Sequence, residues 1–373
     1  MKITYLSNSI IPSKKANSIH VMNMCHAYTS LGNDVTLICP ARKDEMDSGI
    51  DNIYRHYGIP STFAIKHLPS PKIRFRSIIY TLSSLLHLIF RRPDAAIGRF
   101  VYTCVLSVKL GIPTVFDSHG PIWLDGKISA LLFSWLIKSK YLVQITTNSA
   151  ALKQLYLERY PELSKQITAL PNGAQKPTPS PLQKTWPGRS NAIQIGYVGS
   201  LYAGRGAEVI THCAQQLPEF DFHIVGGDKE DIAQLSAELD CSNLFFHGHK
   251  PHHETANYRE QCDILLAPYQ RSVFNKAGTQ DSTTFMCPIK VIEYLSSAKA
   301  IVASDLPTIR ELLNESQAKL VTPDKMEEWI EAIKELAASD TLRARLASSA
   351  YQHFENNLTW QARAEKTLHL LNG

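Results

Sequence analysis

Apolar residues in this chain fall into two rhythms. Unbroken apolar runs of three to six residues alternate with longer stretches in which apolar side chains recur at every third or fourth position. The first rhythm predicts buried strands and the second predicts amphipathic helices. Strands are expected over residues 2–6, 34–39, 95–98, 113–117, 142–146 and 167–170, with helices over 18–31, 77–91, 100–110, 125–139 and 149–160. Residues 171–190 break the alternation with five prolines, which make a stiff, extended connector. The alternation then restarts. Strands are expected at 193–198, 220–225, 244–247, 264–268, 300–303 and 319–321, and helices at 206–217, 229–239, 252–261, 288–298, 324–337 and 339–354. A last amphipathic helix is expected at 358–371.

Apolar strands separated by helices form parallel sheets covered on both faces. The fold class is therefore α/β, with two tandem Rossmann-like doubly wound domains facing a cleft. The expected boundaries are 1–176 for the N-terminal domain, 177–190 for the linker, 191–356 for the C-terminal domain and 357–373 for the final helix. Open α/β sheets bind ligands beyond the carboxyl ends of their strands, so the cleft is the expected site.

Composition narrows the classes. A chain of 373 residues, 44% hydrophobic and 20% charged, is ordinary for a globular protein of two domains. Its seven cysteines are scattered without a C-x-x-C pair, which argues against a zinc site or disulfide framework and for a reducing, cytoplasmic location. The N-terminus reads as a strand rather than a signal peptide. The longest apolar run, 78–90, has 13 residues, against roughly 20 needed to cross a bilayer. Residues 1–176 carry 21 Lys+Arg and 10 Asp+Glu, a net of +11, while the remainder carries a net of −6. The two halves are thus expected to meet different partners.

Lys66, Lys72, Arg74, Arg76, Arg91 and Arg92 flank the run 78–90, and Lys127, Lys138 and Lys140 flank a second apolar stretch between them. Two readings stand: core helices with solvated cations, or a surface held against the anionic inner face of a membrane. Nucleic acid is not an expected partner, because no recognition-helix, RNP-like or zinc-finger pattern occurs.

Candidate chemistry clusters in the second half. In Pro288-Ile-Lys290-Val-Ile-Glu293, a cation and an anion three residues apart share one face at a helix N-terminus. This is either a solvated ion pair or a phosphate-and-hydroxyl site of the kind a nucleotide sugar needs. Gly196-Tyr-Val-Gly199-Ser200 leads to Gly204-Arg205-Gly206 between a strand and a helix. It is either a plain tight turn or a diphosphate cradle with Arg205 as clamp. Asp263-Ile-Leu-Leu-Ala-Pro-Tyr269 runs out into a long polar stretch, 270–287, opening onto the Pro288 helix. No D-x-D pair occurs, so no metal is expected and cations would have to hold a diphosphate. In the first half, His119 follows a strand in Asp117-Ser-His119, and His20 begins a helix after Asn17-Ser-Ile. Either histidine could instead be a loop or surface residue.

Taken in order, Gly196-Tyr-Val-Gly199, Ala203-Gly-Arg205-Gly206, Phe222-His-Ile-Val-Gly226-Gly227, Phe245-Phe-His-Gly248, Asp263-Ile-Leu-Leu-Ala-Pro-Tyr269, Pro288-Ile-Lys290-Val-Ile-Glu293-Tyr and Ile301-Val-Ala-Ser-Asp305 resemble the retaining glycosyltransferases of family 4, of GT-B fold. The resemblance spans most of the chain and is strongest from Ile193 to Glu311. It implies transfer of a sugar from a nucleotide-sugar donor to a glycan or lipid-linked acceptor in bacterial surface polysaccharide synthesis, such as capsule or O-antigen. Attack on the same face of the sugar would need no metal or other cofactor. Arg205 and Lys290 would hold the diphosphate, Glu293 the ribose, and His119 would lie beside the transferred sugar. Gly199, Ser200, Tyr269, Thr283, Thr284 and Phe285 would line the donor site. Asn17 and His20 would lie on the acceptor side, and the final helix would return to the first domain. Three positions depart from the family pattern. Phe285 stands where the first Glu of an E-x7-E motif belongs, Ser13-Lys14-Lys15-Ala16-Asn17 replaces a glycine pair, and Ser200 replaces a residue that is often basic. A non-catalytic sugar-nucleotide-binding protein of the same fold is the alternative that Phe285 suggests.

Overall fold

A computed structural model describes residues 1–13, 15–74, 76–178, 186–237, 241–274 and 281–372. The chain divides into two compact units, Met1–Gly173 with Trp360–Gly373, and Ala174–Thr359.

The first unit is built on seven strands: β1 (Lys2–Leu6), β2 (Asp34–Ala41), β3 (Ala64–Pro69), β4 (Ala95–Gly98), β5 (Thr114–Ser118), β6 (Leu142–Thr147) and β7 (Ile167–Ala169). They pair in parallel in the order β3-β2-β1-β4-β5-β6-β7. The order reverses between β1 and β4, which makes the carboxyl ends of those two strands the switch point of the sheet. Six strands follow the sequence reading. β3 does not, because it is an edge strand with no buried position, carrying Lys66 and His67 and ending in Pro69. The helix Trp360–Asn372 belongs to this unit and packs against the helix Ala16–Ser30 and against β5 and β6.

The helices Arg76–Phe90, Val101–Lys109 and Lys127–Leu136 follow β3, β4 and β5 and pack side by side. Right-handed crossovers put them on the face opposite the helix Ala16–Ser30. Two of the three are patterned inside out. Arg76–Phe90 buries Tyr80, Ser84 and Leu88 while Ile78, Leu82, Leu86, Ile89 and Phe90 are half or more exposed. Lys127–Leu136 buries Ser129, Phe133 and Leu136 and exposes Ile128, Leu131 and Trp135 to a similar degree. No helix among the described residues is long and apolar enough to cross a membrane.

The second unit has six strands: β8 (Gln194–Val198), β9 (Asp221–Val225), β10 (Leu244–Gly248), β11 (Ile264–Ala267), β12 (Ala300–Ser304) and β13 (Lys319–Val321). All are parallel, in the order β10-β9-β8-β11-β12-β13, reversing between β8 and β11. Both faces are covered. Leu265 and Ala267 enter one core with Tyr294 and Ile301, and Ile264 and Leu266 enter the other with Ile224 and Trp329. That is why this strand reads as a continuous apolar run rather than an alternating one.

Residues 179–185 of the expected linker lie outside the described residues. Its end is anchored in the second unit. The Trp186 indole donates to Gln194 (2.9 Å) and stacks on His247 (4.8 Å), and Arg189 pairs with Asp221 (2.7 Å).

Candidate functional site

Beyond the end of β8 the chain makes a tight loop, residues 199–206, that lies against the segment following β11. Gly204 and Gly206 both have φ of +80°, and a Cβ on them would fall 1.9 Å from Ser272 O and 1.8 Å from Pro268 O. Only glycine permits so close an approach. Gln270 N–H donates to Gly204 O (2.9 Å) and Phe274 N–H to Ala203 O (3.2 Å), locking the loop in place.

The loop sets Arg205 beside Tyr269, its Cζ 5.3 Å from the ring centroid. Lys290 comes in from the helix Ile289–Leu295, with Pro288 at its N-cap. Its Nζ lies 3.9 Å from the Tyr197 ring centroid and 4.4 Å from that of Tyr269. Gly199 makes room for it, since a Cβ there would come within 3.1 Å of Lys290 Cδ. Lys290 Nζ and Arg205 Nε are buried and have no hydrogen-bond partner among the described residues. Burial, and then the Arg205 charge, push the Lys290 ammonium well below its ordinary pKa. Two neighbouring cations on aromatic faces with no anion between them form an electrostatically incomplete site. A diphosphate supplies the missing charge and accepts hydrogen bonds from both groups.

Glu293 is not the ion-pair partner of Lys290. Its carboxylate receives His252 Nε2–H at 2.5 Å and lies 3.6 Å from Arg259 Nη1. Burial raises the Glu293 carboxyl, but His252 and Arg259 outweigh it and hold the group ionised below its usual range. His252 uses one of its roughly four lone-pair directions and Arg259 pairs by charge alone, leaving acceptor capacity for hydroxyl groups. Arg259 is itself fixed by Ser297 (2.8 Å) and Thr255 (3.0 Å).

The other donor-side residues divide. Tyr269 and Gly199 shape the cation pocket directly. Ser200 contributes its backbone carbonyl, which accepts from Tyr197 Oη at 2.6 Å. The Thr283 hydroxyl donates to Asp281 (2.5 Å) and accepts from Val273 N–H (2.7 Å), so it shapes its own segment. Thr284 is exposed, and Phe285 is buried, at 7% exposure. Residues 275–280 of the polar stretch lie outside the described residues.

In the first unit, the residues following β5 and the helix Ala16–Ser30 meet at Asp117. Its Oδ1 accepts from Thr146 (2.8 Å) and Arg363 (2.7 Å), and its Oδ2 from His20 (3.1 Å) and His119 (3.0 Å). Burial raises the Asp117 carboxyl, yet Arg363 and the histidines hold it well below the carboxylate range. His20 is buried rather than at the surface. Its Nδ1 lies 3.1 Å from Asn172 Oδ1, and its ring meets Trp360 edge-on at 5.2 Å. His119 gives Nε2–H to Asp117, which leaves Nδ1 as its acceptor. Asn17 turns its backbone carbonyl to Arg99 (3.3 Å). The ligand-type atoms of His20, Asp117 and His119 lie within 4.8 Å of one another. Arg363 on the same carboxylate makes the group a charge-neutralised hydrogen-bond cluster rather than a cation site.

Burial and then Arg99 push the His119 imidazole down to about 4, and burial, then His119, holds His20 well below its ordinary 6.5. In the unfolded chain both would protonate near their ordinary value, so the unfolded state binds more protons below it and stability falls as pH falls. The first unit is expected to lose melting temperature on acidification from about pH 6.5 to about pH 4. His119→Asn should flatten that slope in a calorimetric pH series, and an unchanged slope would refute the assignment.

His252, Arg259, Tyr197, Arg99 and Arg363 escaped the sequence reading. Tyr197 lies inside the motif Gly196-Tyr-Val-Gly199 without having been assigned a role, the others carry no local motif, and each reaches its partner from a distant element. Only the position of Arg363, a cation on the inner side of an amphipathic final helix, left a usable trace.

Residues 192–339 match the family model of glycosyl transferases group 1, and residues 18–175 match that of glycosyltransferase family 4. Over 167 residues the chain is 25% identical to TuaH of Bacillus subtilis, named for a glycosyltransferase role in teichuronic acid biosynthesis. That match covers 44% of this chain and 38% of the Bacillus protein. Among solved structures, sucrose-phosphate synthase of Thermosynechococcus elongatus aligns over 100% of this chain and 98% of its own, with a TM-score of 0.74 at 14% identity. Anabaena HepE in complex with UDP aligns over 100% of both chains, with a TM-score of 0.71 at 14% identity. These likenesses establish the fold as GT-B, two Rossmann-like units in tandem. With one family model covering the first unit and another the second, the chain belongs to the group 1, family 4 glycosyl transferases.

Proposed function

We propose that this protein is a retaining glycosyltransferase that moves a sugar from a nucleotide-sugar donor, held by the second unit, to a glycan or lipid-linked acceptor held by the first. The observation that carries this reading is the pair Arg205 and Lys290, two cations whose Nε and Nζ are buried without a hydrogen-bond partner among the described residues, at the switch point of the second sheet. HepE, of the same fold, binds UDP and UDP-glucose, which favours a uridine nucleotide as donor. TuaH favours a surface polysaccharide, of capsule or O-antigen type, as the product's destination.

In the reaction the bond from the anomeric carbon to the diphosphate oxygen breaks, and its electron pair stays on the leaving nucleotide. The acceptor oxygen bonds the same face of that carbon, and its proton passes to the departing phosphate. Negative charge grows on the diphosphate as the bond breaks, so fixed cations stabilise the transition state more than the ground state. Arg205 and Lys290 supply that charge without a metal or other cofactor. Glu293 accepts from the ribose hydroxyls, and His119 Nδ1 accepts from a hydroxyl of the transferred sugar.

A panel of UDP-, GDP-, ADP- and CMP-sugars, read by melting temperature and then by transfer, tests the reading. One nucleotide family should raise the melting temperature by mass action. Proton NMR of the product should then show the anomeric configuration of the donor; inversion would remove the retaining assignment. Phe285, buried where the family carries an acid, favours a second reading, a sugar-nucleotide-binding protein without turnover. Tight donor binding with no transfer to any acceptor extract would select it.

The acceptor is reached at an anionic membrane surface in the cytoplasm. The inside-out helices Arg76–Phe90 and Lys127–Leu136 present their apolar stripes among Arg91, Arg92, Lys127, Lys138 and Lys140, all exposed and without a carboxylate partner among the described residues. Apolar side chains ringed by cations bind anionic leaflets. The protein should float with phosphatidylglycerol vesicles and not with phosphatidylcholine alone. Leu86→Glu with Trp135→Glu should leave it in solution, and flotation of that variant would refute the surface.

A further inference from the structure

The first unit holds a second charge that its own residues do not answer. Arg99 stands immediately after β4, at the switch point of the first sheet, its backbone N–H bonded to Leu6 O of β1 (3.0 Å). Its side chain makes one hydrogen bond, from Nη1 to the backbone carbonyl of Asn17 at 3.3 Å, and no carboxylate pairs with it among the described residues. The carboxylate whose charge reaches it is Asp117, which is already committed to Arg363, Thr146, His20 and His119. Two guanidinium groups therefore share one carboxylate, and Arg363 has it.

The surroundings of Arg99 are equally unfinished. Tyr5, of β1, is fully buried, and its hydroxyl has no hydrogen-bond partner among the described residues. Asn17 Oδ1 is buried without a partner as well. The helix Ala16–Ser30, in which Asn17 is the second residue, has no acid in its first turn and no side-chain cap. Its N-terminal end thus adds partial positive charge to the same corner. A half-buried guanidinium without a counter-ion and a buried hydroxyl without a partner among the described residues each cost stability if nothing completes them.

We propose that Arg99, Tyr5 and Asn17 form an oxyanion subsite in the first unit that takes a phosphate or carboxylate group of the acceptor. Arg99 offers two further donor edges to an oxyanion, Tyr5 Oη donates one more hydrogen bond, and Asn17 Oδ1 accepts from a hydroxyl next to the anionic group. The assignment rests on the acceptor role given to the first unit, and it makes the preferred acceptor an acidic one. It is distinct from the donor pocket, whose cations are Arg205 and Lys290.

The test removes the donor pocket first. In the full-length protein carrying Arg205→Ala and Lys290→Ala, calorimetric titration with inorganic phosphate and, separately, with glucuronate should still show one oxyanion site. Tighter binding of phosphate identifies a phosphorylated acceptor, and tighter binding of glucuronate a uronate. Adding Arg99→Gln should weaken that site by about ten- to a hundredfold, the weight of a charged hydrogen bond. Arg99→Lys should retain most of it. Tyr5→Phe guards against a folding artefact. It should weaken binding by about threefold while the melting temperature holds or rises, because an unpartnered buried hydroxyl is removed. No binding of either anion, or binding that survives Arg99→Gln, overturns the subsite and leaves the donor reading untouched. Loss of donor binding in the otherwise wild-type protein would strike the function instead.

Discussion

Lys290→Met should all but abolish sugar transfer while the second unit melts no lower than the wild type. The expected fall in kcat/KM is about 10²–10³-fold, the usual effect of removing one fixed charge-stabilising donor at a leaving group. Stability moves the other way because the ammonium is buried beside Arg205 with no hydrogen-bond partner among the described residues. An apolar side chain of similar length relieves both the burial and the repulsion. The same geometry gives a pH signature. Burial and Arg205 hold the Lys290 pKa well below its ordinary value, and an arriving diphosphate raises it again. Donor binding should therefore take up a proton and tighten as pH falls. Calorimetry of the free nucleotide in buffers of different ionisation heat measures that uptake. A variant that transfers sugar at the wild-type rate would remove Lys290 from the site.

Asp117→Ala should be the most destabilising single change in the first unit. It strips the carboxylate from Arg363, which is 3% exposed, and from the buried His20 and the half-buried His119 at once. Leaving a buried charge unpaired costs about 3–5 kcal/mol. For a unit of this size that is a fall of roughly 6–20 °C in its melting transition. Arg363→Met in the same chain should recover a good part of the loss, because the stranded guanidinium goes with it. Since Arg363 lies on the last helix, the variant should also free residues 360–372 to proteolysis before the rest of the unit. Equal melting of Asp117→Ala and wild type would mean that the cluster does not hold that helix.

Much of the fold was legible because burial on both sheet faces leaves a coarse mark. Ile264-Leu-Leu-Ala267 reads as strand because each residue has a core to enter. β3 was not legible because nothing buries it, and an edge strand can be made of Lys, His and Pro. The amphipathic runs 78–90 and 128–137 read correctly as helices, but periodicity cannot say which stripe faces in. Ser84 and Ser129 are buried while Leu86 and Trp135 are exposed, the reverse of what hydropathy alone suggests.

At the site, Arg205 and Lys290 were legible as cations near strand ends, since glycine-rich turns and a helix start can be read locally. The spacing of Lys290 and Glu293 left an ion pair open, and the tertiary structure decided against it. Lys290 turns to the rings of Tyr197 and Tyr269, while Glu293 turns to His252 and Arg259.

The sequence by itself determined the class of fold, the tandem of two doubly wound units and the strand ends at which chemistry can sit. These follow from short-range periodicity and from glycine and proline, whose effects act on neighbouring residues. Only the tertiary structure decided which charges are answered. Asp117 serves Arg363 across 246 positions, Glu293 serves His252 across 41, and Arg99, Arg205 and Lys290 are left without a carboxylate partner among the described residues. Pairing between buried charges depends on distance through space, which sequence spacing does not encode.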